Sequence, residues 1–539
     1  MRPLYTQDPA ATVQPAERAL RQRLRAAAAF LLPPSADVDG LSGRGTGVLA
    51  DALARRVQHS GDTGELWLLL TTLAASFPDA ELVNRARREL ALNPAALPLT
   101  TLLDCISRSG VRLRSLAAEV EIVEDVAVVD VDFCARHDHN TGIQRVVRQT
   151  VALWAADHPL ALARWTDSDE VFCRLAHDER RRVLEWNVYS ARTAQNAATG
   201  VGAAPLADDL PARLIVPYRT TVVLPEVARE SVSPRLAALA EFSGNRVVMI
   251  GYDTIPFVSG DLVLRAEIEK FARYSTVVKN ATRVAAISSS AAEEFAGYVS
   301  AVRAQGLDGP QVSTVVLPAQ VPGATALLHA ASLPAASAGR PEPHRASSRS
   351  ATPEEKLVLV VGNQEPRKNL LAVLAAAESL WRTGLVFRLR MIGGARPDYK
   401  PVIDREVARL CTAGFSVELL RGVDDDVLTD SYRRAWFTVF PSIHEGYGLP
   451  VAESLASGVP SITSNYGSTA EIAAGGGCLT VDPRDDADLA AAMRVLLTDG
   501  QARERLVVEA RNRRPRSWSD YAGDLWRDLM EPMEAEIHD

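Results

Sequence analysis

Apolar positions recur along this chain with two different periods, and the change comes near residue 120. Before it they return every third or fourth residue in Glu17–Leu32, Val48–Val57, Glu65–Ser76 and Ala80–Leu92, with breaks at Pro33, Pro34, Gly61 and Pro94. That spacing predicts amphipathic helices. After it, short β-branched runs alternate with helical stretches. Strands are predicted at Val126–Phe133, Leu214–Val216, Thr221–Leu224, Arg246–Ile250 and Thr282–Ile287. The helical stretches among them include one running from residue 142 to Trp154, Arg235–Phe242 and Leu262–Lys279. Such alternation implies a parallel sheet covered by helices on both faces.

Val321–Glu355 is rich in Ala, Ser and Pro and has little periodicity, as expected of a linker. A second α/β series follows: strands at Lys356–Val361, Phe387–Ile392, Ser416–Leu420, Trp436–Phe440, Pro460–Thr463 and Cys478–Val481, with a helix at Asn369–Thr383. The expected organisation is α/β. A helical extension covers 1–119, a Rossmann-like domain 120–320, the linker 321–355, a second Rossmann-like domain 356–514 and a last helical segment 515–539.

At 539 residues the chain is too long for a single core. Hydrophobic residues make up 47% and charged residues 23%, the composition of an ordinary globular protein. A net charge of −8 leaves no basic excess for neutralising phosphates, which argues against nucleic acid as a main partner. Residues 1–118 reverse the sign, with 14 basic and 11 acidic side chains. This suits a membrane-surface or partner-docking role, homo-oligomerisation included, although a solvated helical face is the simpler reading. The five cysteines show no C-x-x-C spacing, so neither a disulfide framework nor a zinc site is expected. The apolar run Ala26–Leu32 is only seven residues long, far short of a membrane span, and lacks the pattern of a cleaved leader. A cytoplasmic protein is expected.

The most informative stretch is 436–458, Trp-Phe-Thr-Val-Phe-Pro-Ser-Ile-His-Glu-Gly-Tyr-Gly-Leu-Pro-Val-Ala-Glu-Ser-Leu-Ala-Ser-Gly. It reads as a buried strand, a loop carrying Gly446 and Gly448, and a helix opened by Pro450 and stopped by Gly458. Glu445 falls in the loop and Glu453 in the expected first helical turn, with seven residues between them, at the carboxyl end of a strand, where open parallel sheets bind ligands. Carboxylates of this kind suit sugar hydroxyls, and bare glycines let backbone N–H groups approach a ligand. Upstream, Gly362-Asn-Gln-Glu-Pro-Arg367-Lys368-Asn places two cations at a helix start, where the dipole opposes them unless an anion is near. A diphosphate would serve, gripped by the arginine fork and the lysine point charge.

The string from Glu445 to Pro460 resembles the Glu-x7-Glu signature of the retaining, GT-B-fold glycosyltransferases of family 4. The Glu-Pro-Arg-Lys-Asn segment and the loop from Gly142 to Arg145 resemble motifs of the same family. The likeness spans roughly residues 125–530. It implies two facing Rossmann-like domains, a last helix that crosses back to the first domain, and a nucleotide-diphosphate sugar as co-substrate with no further cofactor and no metal. It also implies transfer of a hexose to a hydroxyl of a glycan or lipid-linked glycan at the inner face of the cell membrane. In the site so implied, Glu445 lies near the hexose, Arg367 and Lys368 hold the diphosphate, and Glu453 takes the ribose. Gly446, Tyr447, Gly448, Leu449, Gly362, Gly142 and Ser464 line the donor cleft. Retention follows if the leaving phosphate helps deprotonate the acceptor on the front face.

One departure concerns the His-Asp pair common in that family after a first-domain strand. Here Asp253 matches, but Tyr252 stands in the histidine's place. Both join the candidate catalytic set, since a phenol still hydrogen-bonds a sugar hydroxyl or a phosphate, and packing is the competing role for Tyr252. His137 and His139 are candidate acceptor contacts. GDP-mannose is the first guess for donor, followed by UDP-glucose and dTDP-rhamnose. A nucleotide-sugar-binding scaffold that has lost activity, or another GT-B enzyme such as an epimerase, are the alternatives.

Overall fold

The computed structural model describes residues 9–110, 115–140, 142–199, 213–318, 355–514 and 516–532. Nearly all of the expected linker, and Thr141, lie outside them. The described residues form two sheets. The first contains β1 (Val120–Val123), β2 (Ala127–Asp130), β3 (Leu160–Trp165), β4 (Phe172–Arg174), β5 (Leu214–Pro217), β6 (Thr221–Leu224), β7 (Arg246–Gly251), β8 (Arg283–Ala286) and β9 (Gln311–Thr314), in the order β1-β5-β4-β3-β2-β6-β7-β8-β9.

This sheet is not wholly parallel. β4 runs antiparallel to both neighbours, because residues 166–171 leave no length for a crossover and β3 turns directly into β4. Asp169 takes a left-handed φ of 58° in that turn. Nor does the strand predicted at Val126–Phe133 run its full length. It stops at Asp130, and Asp132–Arg136 forms a short helix. The carboxylate of Glu226, on the loop after β6, accepts the N–H groups of Phe133 and Cys134 at 2.7 and 2.8 Å. That long-range acceptor overrides the local apolar pattern.

Strand side chains alternate between faces. Val128, Val222, Val247 and Met249 enter one core, while Val129, Val223, Val248 and Ile250 enter another. The first core is closed by the N-terminal helices, whose Leu24, Leu53, Trp67, Leu68 and Val83 pack into the same cluster. Arg23, 1% exposed, donates to the carbonyls of Thr72, Leu116 and Ala118 at 2.9, 2.7 and 2.8 Å. Helices Pro9–Leu31 to Pro98–Arg108 therefore share the hydrophobic core of the first domain.

The opposite face is covered by helix Gly142–Asp157 and by the last helix, Trp518–Met530. Trp154 donates its indole N–H to Ala522 O at 2.8 Å, and Tyr521, Leu525 and Leu529 join Val147 and Val151 in one cluster. Arg246 and Arg283 bind the carbonyls at the end of that last helix, where the dipole favours cations.

The second sheet contains β10 (Leu357–Val361), β11 (Arg388–Ile392), β12 (Val417–Leu420), β13 (Phe437–Phe440), β14 (Ser461–Ser464) and β15 (Cys478–Val481). It is parallel throughout, in the order β12-β11-β10-β13-β14-β15. The chain leaves β10 toward one edge and resumes at β13 toward the other. The gap between the carboxyl ends of β10 and β13 is thus the topological switch point, where such sheets form a crevice.

Candidate active site

Both informative motifs leave the sheet at this switch point, Gly362–Asn369 from β10 and Pro441–Gly448 from β13. Gly448 takes a φ of +109° as N-cap, and a side chain there would meet Thr469 Cγ2 at 2.8 Å. The left-handed cap starts the helix at Leu449, so Glu453 lies in the second turn rather than the expected first.

Glu445 is buried between the two cations. Its carboxylate accepts Arg367 Nη1 at 2.8 Å and is also bonded by Lys368 Nζ and Ser442 Oγ. Burial alone would raise its pKa, but Lys368 and Arg367 outweigh burial and hold it at about 2. Burial lowers the Lys368 pKa, and Glu445 only partly restores it. For Arg367, Glu445 and Glu365 overcome the burial penalty and raise the pKa. Arg367 also pairs with Glu365 at 2.8 Å and donates to His444 O at 3.1 Å. The anion that the two cations require is therefore supplied by the chain itself, through Glu445 and Glu365. Their charge alone does not call for a diphosphate.

Glu453, 5% exposed, is held by both domains. Arg145 of the first domain donates to Oε1 at 2.5 Å, and Tyr432 donates its hydroxyl to Oε2 at 3.0 Å. Burial raises the Glu453 pKa, against the pull of Arg145.

The two domains meet closely here. A side chain on Gly446 would come 2.2 Å from Tyr252 O and 3.1 Å from Asp253 Cβ, and one on Gly142 would come 3.3 Å from Leu449. Ser288 donates to Gly446 O at 2.6 Å, and the Tyr447 hydroxyl donates to Leu317 O at 2.7 Å. Asp253 thus sits beside the Glu445 loop. Its pKa is raised by burial and opposed by Arg367. Gly362 follows β10, and a side chain there would meet Phe440 at 3.6 Å and Lys368 at 3.8 Å. Ser464 is buried and donates to Ser442 O at 2.6 Å, so it supports the Glu445 loop from behind.

Tyr252 does not join these groups. Its ring is 6% exposed within the first-domain core, and its hydroxyl donates to Pro225 O at 2.8 Å. Burial lifts the phenol pKa well above its usual value, which removes it from proton chemistry and leaves packing as its role. His137 and His139 are exposed in a loop organised from below by buried Arg148, which donates to both of their carbonyls at 2.7 Å. His137 packs on Phe133, with ring centroids 4.5 Å apart.

The family model described as "Glycosyl transferases group 1" matches residues 344–513. That stretch is a group 1 glycosyl transferase domain. The chain is 34% identical over 147 residues to O-antigen chain mannosyltransferase B of Escherichia coli, covering 27% of this chain and 38% of that protein. It is 34% identical over 158 residues to a glycogen synthase of Mycobacterium tuberculosis, covering 29% and 37%. Among solved structures, sucrose-phosphate synthase from Thermosynechococcus elongatus aligns with a TM-score of 0.49 at 18% identity, over 75% of this chain and 99% of that one. The chain spans about two fifths of the length of the curated relatives it matches. The first α/β domain faces this stretch across the crevice, the two-domain arrangement expected from the sequence.

Several residues around the group 1 domain's crevice were not among the sequence candidates. Gln364, buried, accepts from Arg421 and donates to Gly393 O at 3.2 Å, fixing the loop before Arg367. Glu471 accepts the N–H groups of Ser289 and Ser290 at 2.9 and 2.6 Å across the domain interface. His444 bonds Glu294 and Ser259 of the first domain. Gln364 and His444 fall inside the two informative strings, whereas Glu471 lies beyond both. In the first domain Glu226 is buried on the loop after β6, and that burial raises its pKa to about 7. No helix among the described residues is long and apolar enough to cross a membrane.

Proposed function

We propose that the chain is a retaining glycosyltransferase that moves a hexose from a nucleotide-diphosphate sugar, with GDP-mannose favoured, to a hydroxyl of a glycan or lipid-linked glycan. The observation that carries this reading is the ionised Glu445, buried against Arg367 and Lys368 at the switch point of a group 1 domain, with Asp253 of the other domain beside it. O-antigen mannosyltransferases of Escherichia coli and Salmonella typhimurium among its relatives support mannose as the sugar.

In this reading the diphosphate lies along the Arg367 and Lys368 turn, the hexose faces Glu445, and the ribose approaches Glu453. A carboxylate has about four acceptor sites, so Glu453 keeps acceptor capacity for a diol besides Arg145 and Tyr432. The acceptor oxygen bonds to the anomeric carbon as the bond from that carbon to phosphate breaks, and the acceptor proton passes to the leaving phosphate oxygen. Arg367 and Lys368 stabilise the charge gathering on that phosphate. Closure of the domains excludes water from the step. No metal is assigned a role, and the work is placed in the cytoplasm, at the membrane face when the acceptor is lipid-linked.

The test is acceptor-dependent release of GDP from GDP-mannose by the full chain, with the anomeric configuration of the product read by proton NMR. An axial donor giving an axial product supports retention. An inverted product removes the retaining mechanism, and release of GDP without acceptor removes the transferase reading.

A further inference from the structure

His444 directly precedes Glu445, yet its ring leaves the second domain. Nε2 lies 2.6 Å from Glu294 Oε1 and Nδ1 lies 2.8 Å from Ser259 Oγ, both in the first domain. Since a carboxylate only accepts, the ring must carry its proton on Nε2. The other oxygen of Glu294 accepts the backbone N–H of Thr254 at 2.8 Å and its hydroxyl at 2.7 Å. Thr254 follows Asp253. One imidazole and one carboxylate thus link Glu445 to Asp253 by a continuous path, with His444 and Glu294 only 13% and 16% exposed. Arg367 fixes the inner end of the path by donating to His444 O.

We propose that His444 and Glu294 are a positioning pair that registers the two domains in the closed form and so sets Asp253 against Glu445. The pair touches neither donor nor acceptor and acts through the placement of its two neighbours. The role is separable from the other interface contacts. Ser288 to Gly446 and Tyr447 to Leu317 bond backbone carbonyls, and Arg145 to Glu453 and the Ser289 and Ser290 N–H groups to Glu471 engage carboxylates, while His444 brings an imidazole to the interface.

The charged groups facing the ring are Glu294, Asp253 and Glu445, with Arg367 beyond the backbone. Burial would lower the His444 pKa, but Glu294, then Asp253 and Glu445, raise it above 6.5. A raised pKa means that the ionic part of the clasp is complete below the ordinary histidine value and is lost as pH rises through the raised one. The hydrogen bond from Nε2 survives deprotonation, so closure weakens with rising pH without vanishing.

The proposal rests on the glycosyltransferase reading for its kinetic readout alone. The experiment compares full-length wild type, His444→Ala, Glu294→Ala, the double variant and His444→Gln by small-angle X-ray scattering with GDP present, and by kcat and KM for transfer. Both alanine variants are expected to show a larger radius of gyration and a kcat lower by roughly tenfold to a hundredfold, with the Kd for GDP unchanged. The double variant should be no worse than either single one. His444→Gln keeps an N–H donor toward Glu294, so it should recover the compact form and lose the fall in kcat on the alkaline side. Wild-type dimensions and kcat in the alanine variants, or additive effects in the double variant, would overturn the proposal. If wild type binds no nucleotide diphosphate, the transferase reading falls, and scattering of the unliganded variants still decides the clasp.

Discussion

Replacing Glu445 with Gln removes one charge from a buried triad and keeps its shape. The carboxyl is 10% exposed and its pKa moves from 4.5 to about 2 on folding. At about 1.4 kcal/mol per unit, that shift corresponds to about 3 kcal/mol of stability at neutral pH. Lys368 gives part of this back, because burial lowers its own pKa, so we expect Glu445→Gln to cost about 2–3 kcal/mol in urea unfolding at pH 7. The sign of the pH dependence follows from the depressed pKa. The contribution is complete above 4.5 and is lost as pH falls toward about 2, so the difference between wild type and Glu445→Gln should close over that window. Adding Lys368→Met should recover part of the loss, since an uncompensated buried ammonium is then removed. A variant within about 0.5 kcal/mol of wild type at pH 7, or a difference that stays constant from pH 7 into the acid window, would refute the internal ion pair.

Tyr252→Phe should cost about 1 kcal/mol in chemical denaturation, for the lost bond to Pro225 O, and leave kcat at the wild-type value; a large fall in kcat would return the phenol to the site. Gly446→Ala places a methyl 2.2 Å from Tyr252 O, so scattering should show the domains held apart and turnover should drop. Arg23→Met leaves three carbonyls, one buried and two part-buried, without their donor and should destabilise the first domain by about 3 kcal/mol. Unchanged urea unfolding would mean that the N-terminal helices are dispensable to that core.

Much of the architecture was legible because it is local. The β-branched run into Pro441, Gly448 and the helix after it specify strand, loop and helix by themselves. What was not legible depends on partners distant in sequence. The neutralisation of Arg367 and Lys368 by Glu445 requires β10 and β13 to be neighbours, although two strands intervene between them in the chain. A motif string also says nothing of side-chain direction. Asp253 and Tyr252 are adjacent, yet one borders the crevice and the other points into the core. Likewise Arg23 reads as one more helical cation until the carbonyls of Leu116 and Ala118 are brought to it. The short β4 escaped notice because three residues carry too little pattern to separate a strand from a turn.

Binding of a nucleotide diphosphate between the Glu445 loop and the helix that carries Glu453 is tested by a thermal-shift panel of GDP, UDP, dTDP and ADP on wild type and Glu453→Ala. Ligand at a hundredfold excess over Kd stabilises the folded state by about 2.7 kcal/mol. One diphosphate, GDP first, should raise the wild-type Tm and raise that of Glu453→Ala much less. No shift with any of the four at millimolar concentration, or equal shifts in both proteins, would contradict it.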